Sequence, residues 1–203
     1  MVGIYLRQAY GVAADYPGCY VYQSLAIDRP LVIGLSGSSC AGKTTLADNL
    51  IKAICGPERT LVPKRSKRDR AYRYIGKNGA RVCLVAQDSF PRSINEVTSN
   101  WEVTESWNHA VIFDVLQKEC TDISTHVVIF EGFRAFHEDR VKNLLDLTVW
   151  LAVPYQVAKR RRMRRPSRCS ARYFDTQVWA NHVPLAPYGW LFSEGAAPEV
   201  PTS

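Results

Sequence analysis

The sequence has few features of secreted, membrane-spanning or metal-stapled proteins. No stretch of its 203 residues approaches the roughly 18 consecutive apolar residues that span a bilayer. The first 25 residues contain a single arginine and no apolar block, so neither a transit nor a signal peptide is indicated. The six cysteines show no CxxC spacing, which favours reduced thiols over disulfides or a zinc site. We therefore expect a soluble, cytoplasmic protein.

Positive charge is concentrated in two segments of the chain. Of the 26 Lys and Arg residues, nine lie in residues 57–81 and eight in residues 159–172. The remainder of the chain carries nine basic and 17 acidic residues, a net charge of −8. Binding to nucleic acid through a general basic coat is therefore not indicated, and the two segments predict local sites for anions.

The order of apolar patterns predicts an α/β fold in one domain. Short runs typical of buried strands occur at residues 31–35, 81–86, 126–130 and 147–153. Helical patterns alternate with them at residues 44–54, 109–119 and 155–165. This alternation predicts a parallel sheet with helices on both faces, the three-layer αβα architecture.

A phosphate-binding loop follows the first predicted strand. Residues 37–44 fit the pattern GxxxxGK[ST] at every fixed position. Glycines let such a loop wrap around phosphate with its N–H groups inward, and the next helix adds the positive end of its dipole. Lys43 is expected to reach the β- and γ-phosphates, and the Thr44 hydroxyl to bind Mg²⁺. The flanking strand and helix favour this P-loop NTPase interpretation over a chance Gly/Ser turn.

Two acids, Asp88 and Glu131, follow later predicted strands. Ligands of open parallel sheets bind beyond the carboxyl ends of the strands, where the P-loop also lies. One carboxylate could accept a proton from an attacking hydroxyl while the other holds Mg²⁺ directly or through water. The alternative is that each acid is only a solvated strand-end residue.

A run of basic residues at 159–165 has three possible interpretations: a nucleic-acid or nuclear-localisation patch, a solvated helix face, or a lid over phosphates. Helical spacing puts Arg161 and Arg165, or Arg162 and Arg165, on one face. We favour the lid, because phosphoryl transfer places negative charge where arginines from a closing element can meet it.

These patterns divide the chain into three parts. Residues 1–29 are an N-terminal extension of unknown role, and residues 30–183 form the P-loop domain. Within that domain we expect an exposed basic loop or insertion at about 57–81 and an arginine-rich lid at about 159–172. Residues 184–203 contain four prolines and predict a loose tail.

Several segments also carry a family resemblance. In chain order they are GLSGSSCAGKTTLA, AQDSF, SWNHAVIFD, VVIFEGFRAF, VPYQVAKRRR and YFDTQVW. Together they resemble the nicotinamide riboside kinase family, over about residues 31–183. QDSF, WNHAxxFD and EGFRAFHEDRVKNLLDL are also similar to the related uridine–cytidine kinases. The PYQVAKRRR segment and the later YFDxxVW favour the riboside kinases.

The resemblance implies a nucleoside kinase of the P-loop type. Its reaction would be phosphorylation of the 5′-hydroxyl of nicotinamide riboside by ATP or GTP with Mg²⁺, giving nicotinamide mononucleotide for NAD synthesis. Its partner would be a small nucleoside, and the oligomeric state is left open. Two alternatives stay open: a uridine or cytidine kinase, and a degenerate P-loop protein that binds nucleotide, or acidic partners through residues 58–81, without catalysis.

The resemblance also implies roles for individual residues. The triphosphate would be bound by Gly37, Ser38, Ser39, Cys40, Ala41, Gly42, Lys43, Thr44 and Thr45, with Arg161 and Arg165. Mg²⁺ would be bound by Thr44, Asp88 and Glu131. Catalysis would fall to Asp88 as proton acceptor, with Lys43, Glu131 and Arg162. The nucleoside would lie against Asp88, Ser89, Phe90, Pro91, Trp107, Asn108 and Arg162.

Trp107 is placed to stack on the base, and a flat cationic ring does favour an electron-rich aromatic face. Asn108 stands where the family usually has an aspartate on the ribose hydroxyls, so a charge is missing there. A last strand of the family's sheet also has no counterpart after YFDxxVW, and the sequence leaves open whether residues 1–29 take its place.

Overall fold

The computed structural model describes residues 29–64, 66, 69–92, 101–165 and 169–182, and the backbone of residues 3–8. The predicted tail at 184–203 and most of the N-terminal extension lie outside the described residues. Within these ranges no helix is long and apolar enough to cross a membrane.

A seven-stranded sheet forms the centre of the molecule, in the order β1-β7-β2-β6-β5-β4-β3. Its strands are β1 (Gly3–Gln8), β2 (Leu31–Gly37), β3 (Thr60–Val62), β4 (Ala71–Ile75), β5 (Arg81–Ala86), β6 (Val127–Glu131) and β7 (Leu147–Ala152). The four predicted strands are the central four, and they are parallel to one another. The edges differ from a purely parallel sheet, because β1, β4 and β3 pair antiparallel.

Helices cover both faces of the sheet. They are α1 (Lys43–Cys55), α2 (His109–Cys120), α3 (Asp139–Lys142) and α4 (Tyr155–Met163), followed by α5 (Ala171–Tyr173), a π-helical stretch (Phe174–Trp179) and α6 (Ala180–His182). The predicted helices at 44–54 and 109–119 are confirmed. The prediction for 155–165 was two residues too long, since α4 ends at Met163 and Arg165 lies in the turn that follows.

Alternating side chains of the central strands divide the core into two layers. Ile129 of β6 packs with Ile51 of α1 and with Phe174 and Val178 on one side of the sheet. Its neighbours Val128 and Phe130 pack with Ile112 and Leu116 of α2 on the other side. The predicted three-layer αβα architecture is therefore confirmed.

The basic segment at 57–81 is not the exposed loop that the sequence predicted. It contains β3 and β4, which extend the sheet as an antiparallel hairpin joined to β5. Arg73 of β4 is mostly buried. It can be buried because it donates hydrogen bonds to Glu119 of α2 and to Asp69. Charges that are neutralised by partners distant in sequence can occupy a strand, and the local pattern does not reveal those partners.

Candidate active site at the carboxyl ends of the strands

The parallel central strands bring the P-loop and the two strand-end acids to one edge of the sheet. The P-loop follows β2, Asp88 lies in a short 3₁₀ turn (Gln87–Ser89) after β5, and Glu131 is the last residue of β6. Because β2 pairs with β6 and β6 with β5, these three chain segments are neighbours. The P-loop and the two acids therefore meet at the carboxyl ends of the strands, as the sequence predicted.

The P-loop folds around its own lysine. Lys43 Nζ donates to the carbonyl oxygens of Gly37 at 3.1 Å and Ser38 at 2.9 Å. Loss of hydration lowers the pKa of Lys43, and the negative charges of Glu131 and Asp88 act in the opposite direction. The ammonium group is thus held at the bottom of the loop, facing the acids at the strand ends.

The loop and its surroundings fit a nucleoside triphosphate with Mg²⁺. Gly42 has φ 104°, and a Cβ there would meet nothing within 4 Å, so the mouth of the loop is open. Within the described residues, the buried Ser38 hydroxyl has no hydrogen-bond partner in the protein and can donate to a phosphate. Successive N–H groups at the start of α1 add the positive end of the helix dipole.

Thr44 and Glu131 form the candidate metal position. The Thr44 hydroxyl is 3.0 and 3.1 Å from the two carboxylate oxygens of Glu131. Burial raises the pKa of Glu131, while the Thr44 hydrogen bond and the Lys43 charge lower it. No group of three or more His, Cys, Asp or Glu side chains in the described part of the chain forms a complete metal cage. Mg²⁺ at nucleotide sites commonly takes one or two carboxylates and completes its shell with phosphates and water, so this pair suits it.

A cavity of about 200 Å³ opens beside the loop. Its wall includes Lys43, Asp88 and Glu131, together with Trp101, Glu102, Trp107 and Arg162. The two tryptophan rings are 6.3 Å apart between centroids and tilted by 53°. Among the described residues the buried Trp107 indole N–H has no hydrogen-bond partner. The cavity is thus lined both by charged side chains of the strand ends and the P-loop and by two aromatic rings.

Three arginines of the predicted lid reach this region from α4 and the turn that follows it. Arg161 donates to the Cys40 carbonyl of the P-loop at 3.3 Å, and Arg165 lines both this cavity and a groove that Gly42 and Thr45 also line. Arg162 lines the cavity, and its guanidinium is 3.9 Å from the Glu102 carboxylate. The basic run therefore faces the candidate phosphate site.

Four residues that the resemblance assigned to the nucleoside lie outside the cavity wall. Phe90 is 3% exposed within the core on the α2 side, and the Ser89 carbonyl accepts a hydrogen bond from Arg70 at 2.6 Å. Pro91 forms an isolated backbone bridge with Trp107. The Asn108 side chain caps α2 by accepting from the Val111 N–H at 3.2 Å.

Sequence reasoning missed three side chains of this region, Trp101, Glu102 and Arg134. The Arg134 guanidinium donates to the Glu102 carbonyl at 3.0 Å and to the Thr104 hydroxyl at 2.8 Å, which fixes the segment carrying both tryptophans. The adjacent pair Trp101-Glu102 was the available signal. It has no periodic pattern or motif around it, so the sequence did not single it out.

Comparison with known proteins shows which family and which proteins the chain is similar to. Residues 92–173 match the phosphoribulokinase / uridine kinase family. A uridine kinase of Borrelia hermsii is 27% identical over 156 residues, covering 72% of each protein. Nicotinamide riboside kinase 1 of Homo sapiens is 29% identical over 158 residues, covering 76% of each protein. A uridine kinase of Borreliella burgdorferi (strain ZS7) is 28% identical over 172 residues, covering 77% of this chain and 81% of the relative.

The chain has the fold of the P-loop kinases, with a lysine-centred loop at the carboxyl ends of its strands. Its residues 92–173 match the phosphoribulokinase / uridine kinase family, which has this fold. Its relatives include uridine kinases and a nicotinamide riboside kinase, in agreement with the resemblance seen in its motifs.

Proposed function

We propose that the protein phosphorylates the 5′-hydroxyl of nicotinamide riboside to give nicotinamide mononucleotide, with Mg-ATP as donor. The observation that supports this proposal is that one cavity is lined both by Lys43, Asp88 and Glu131 and by the two tryptophans Trp101 and Trp107. A phosphate donor at the loop would face an acceptor lying against Trp107. That arrangement is what transfer between a nucleotide and a nucleoside requires.

The nucleotide side uses the P-loop and the lid. Residues 37–45 would cradle the triphosphate, with Lys43 on the β- and γ-phosphates and the Ser38 hydroxyl donating from below. Thr44 and Glu131, with Asp88, would hold Mg²⁺. When bound, Mg-ATP supplies the transferred phosphoryl group and a metal charge that offsets its negative oxygens. Arg161 and Arg165, on a lid at about residues 159–172, would approach the phosphates and exclude water.

On the acceptor side, Asp88 is the better proton acceptor of the two strand-end acids. Both oxygens of Glu131 lie within hydrogen-bond distance of Thr44, whereas Asp88 is exposed at the cavity end. The 5′-hydroxyl would give its proton to Asp88 as its oxygen bonds to the γ-phosphorus, and the bond from that phosphorus to ADP would break. Arg162 would bind the transferred group from the substrate side.

The aromatic side chains that line the cavity favour nicotinamide as the base of the substrate. A pyridinium cation is attracted to the electron-rich faces of aromatic rings, and Trp101 and Trp107 provide two of them. The Glu102 carboxylate adds negative charge beside them. A uridine or cytidine kinase is the second candidate, because relatives that cover most of this chain are uridine kinases.

An ADP-release assay with Mg-ATP and separate nicotinamide riboside, uridine and cytidine tests the proposal. We expect turnover with nicotinamide riboside to be the most efficient. Preference for uridine or cytidine would move the assignment to the pyrimidine nucleosides. A folded protein that binds ATP but turns over none of the three would be a non-catalytic nucleotide-binding protein.

Replacing Asp88 with Asn tests the role of the proton acceptor. We expect kcat to fall by about 10²- to 10⁴-fold, because a general base contributes this much, while ATP affinity stays similar. Asp114→Asn is a matched control, since Asp114 is exposed on α2 and outside the cavity wall. Near-normal turnover of the Asp88 variant would remove Asp88 from the chemistry.

A further inference from the structure

A buried amide side chain, that of Gln87, has no role in the chemistry described above. Gln87 is 1% exposed, directly precedes Asp88 and lines the cavity. Within the described part of the chain, its side-chain nitrogen Nε2 has no hydrogen-bond partner. A buried donor that is left unpaired lowers stability. A side chain that is kept in spite of this cost points to a use in function.

We propose that Gln87 is a positioning residue, which holds Asp88 in place relative to Glu131 and to the segment at residues 101–107. This inference rests on the proposed nucleoside kinase function. It concerns the placement of the proton acceptor, and it assigns to Gln87 no contact with the substrate.

The hydrogen-bonded ladder between β5 and β6 stops before it reaches Asp88. Its last pair is Ala86 with Glu131, and β5 then passes into the 3₁₀ turn Gln87–Ser89. Strand pairing therefore fixes Glu131 at the end of β6 but does not extend to Asp88. A side chain next to Asp88 can supply the connection that the ladder no longer makes.

The Gln87 side chain makes this connection. Its Oε1 accepts a hydrogen bond from the backbone N–H of Arg134 at 2.9 Å, in the loop that follows Glu131. It also packs on the backbone of Gly132, where an added Cβ would lie 2.7 Å from Gln87 Cβ and 2.9 Å from Gln87 Cδ. The residue before Asp88 is thus joined to the residues after Glu131 by a hydrogen bond and by close packing.

Arg134 extends the connection to the side of the cavity that carries the tryptophans. Its guanidinium donates to the Glu102 carbonyl at 3.0 Å and to the Thr104 hydroxyl at 2.8 Å. Both acceptors belong to the segment at 101–107, whose two tryptophans line the cavity. Hydrogen bonds therefore run from the residue before Asp88 to the segment against which the nucleoside would lie.

Loss of this connection should lower the rate of transfer more than the affinity for ATP. The nucleoside hydroxyl must meet Asp88 in a reactive geometry, and a misplacement of about 1 Å can cost about 10²-fold in rate. ATP would instead be bound by residues 37–45 and the lid. The Gln87 side chain forms its hydrogen bond with the loop after β6.

The variant Gln87→Met tests the proposal, because it keeps the length of the side chain and removes its acceptor oxygen. We expect kcat with the preferred nucleoside to fall by about 10- to 100-fold, with the KM for Mg-ATP within about twofold of wild type. The urea midpoint of unfolding should change little, since the unpaired Nε2 is removed while the Arg134 N–H becomes unpaired. Gln117→Met is the matched control, at an exposed position of α2, and should behave like the wild type.

A double-variant comparison separates the positioning of Asp88 from a general structural defect. In an Asp88→Asn background, Gln87→Met should lower kcat by only about threefold or less, because the group that it positions is already absent. A structural defect would instead lower kcat by the full factor in both backgrounds. Gly132→Ala disturbs the same contact from the β6 side, because its Cβ would displace the Gln87 side chain. It should also lower kcat and leave the KM for Mg-ATP similar, and it provides the test if Gln87→Met does not fold.

The proposal fails if the folded Gln87→Met variant has a near-normal kcat, or if its loss adds in full to that of Asp88→Asn. If the wild type phosphorylates no nucleoside, the proposed function fails instead. Hydrogen exchange then tests Gln87 independently of turnover. In Gln87→Met the amides of Arg134 and of residues 101–107 should exchange at least about tenfold faster than in the wild type, and those of α1 should not change. Unchanged exchange at Arg134 and in residues 101–107 would overturn the role of Gln87.

Discussion

At the scale of single residues, the two glycines at fixed positions of the P-loop pattern are required for different structural reasons. Gly37 has φ 142°, and a Cβ there would lie 2.3 Å from the Leu151 carbonyl oxygen. Gly42 has φ 104°, but a Cβ there would meet nothing within 4 Å. Both have a backbone conformation that favours glycine. Only at Gly37 is the absence of a side chain also needed, because β7 approaches closely there.

Alanine substitutions should separate these two requirements. Gly37→Ala should lower the free energy of unfolding by at least about 3 kcal/mol, because two costs add. The alanine has a strained φ, and its Cβ displaces backbone atoms of β7. Gly42→Ala should cost only about 1–2 kcal/mol of backbone strain. Urea unfolding of both variants measures the difference, and equal losses would show that the contact with Leu151 is relieved without cost.

At the scale of elements, the β3–β4 hairpin is fastened to α2 by a buried ion pair. The Arg73 side chain is 12% exposed and that of Glu119 is 2% exposed. Arg73 Nε donates to Glu119 at 3.2 Å and its guanidinium also bonds Asp69 at 2.7 Å. A basic segment can therefore form part of the sheet, because its central charge is neutralised by a helix more than 40 residues further along the chain.

Removing one partner of this pair should destabilise the protein strongly. We expect Arg73→Met to lower the free energy of unfolding by about 3–5 kcal/mol, since it leaves the Glu119 charge buried without its arginine. The double variant with Glu119→Leu should recover much of that loss. Lys77→Met, which breaks the exposed pair with Glu58, is the control and should cause no measurable change. A loss for Arg73→Met no larger than for Lys77→Met would contradict the assignment.

At the scale of the whole molecule, a buried histidine joins α6 to the sheet. The His182 ring is stacked on Trp150 of β7, with centroids 5.3 Å apart and planes 13° from parallel. It also contacts Trp179 and Phe133, the latter from the loop after β6. Burial, with a smaller effect of the Lys43 charge, lowers the pKa of His182 to about 3.

This histidine should make the stability of the fold depend on pH. In the unfolded chain its pKa is near 6.5, so below that pH the unfolded state binds a proton that the folded state does not. The contribution is therefore constant above pH 6.5, and stability falls by about 1.4 kcal/mol per pH unit as the pH drops toward 3. Unfolding free energies of the wild type and His182→Phe, each compared with its own value at pH 7.5, measure it. At pH 5 the wild type should have lost about 2 kcal/mol more, and parallel curves would contradict the prediction.

Local pattern was sufficient for the central sheet and the P-loop. Strands β2, β5, β6 and β7 are mostly buried and parallel to one another, so each has an apolar run that can be recognised without its distant partners. Strand β4, which lies between β5 and the edge strand β3, has no such run, since Arg73 lies between two tyrosines. The strand β1 pairs with β7 at the other edge, a place that the sequence left open.

The sequence by itself determined the fold class, the phosphate loop and the two strand-end acids, because each depends on neighbouring residues and on the order of elements. Only the tertiary structure decided that Glu102 and Trp101 share a cavity with Lys43, that Asn108 caps a helix, and that Arg73 meets Glu119. Those relations join segments that are far apart in the chain, or compete with a local hydrogen bond. The spacing of residues along the sequence reveals neither the contacts between distant segments nor this competition. Both are decided by the packing of the sheet against its helices.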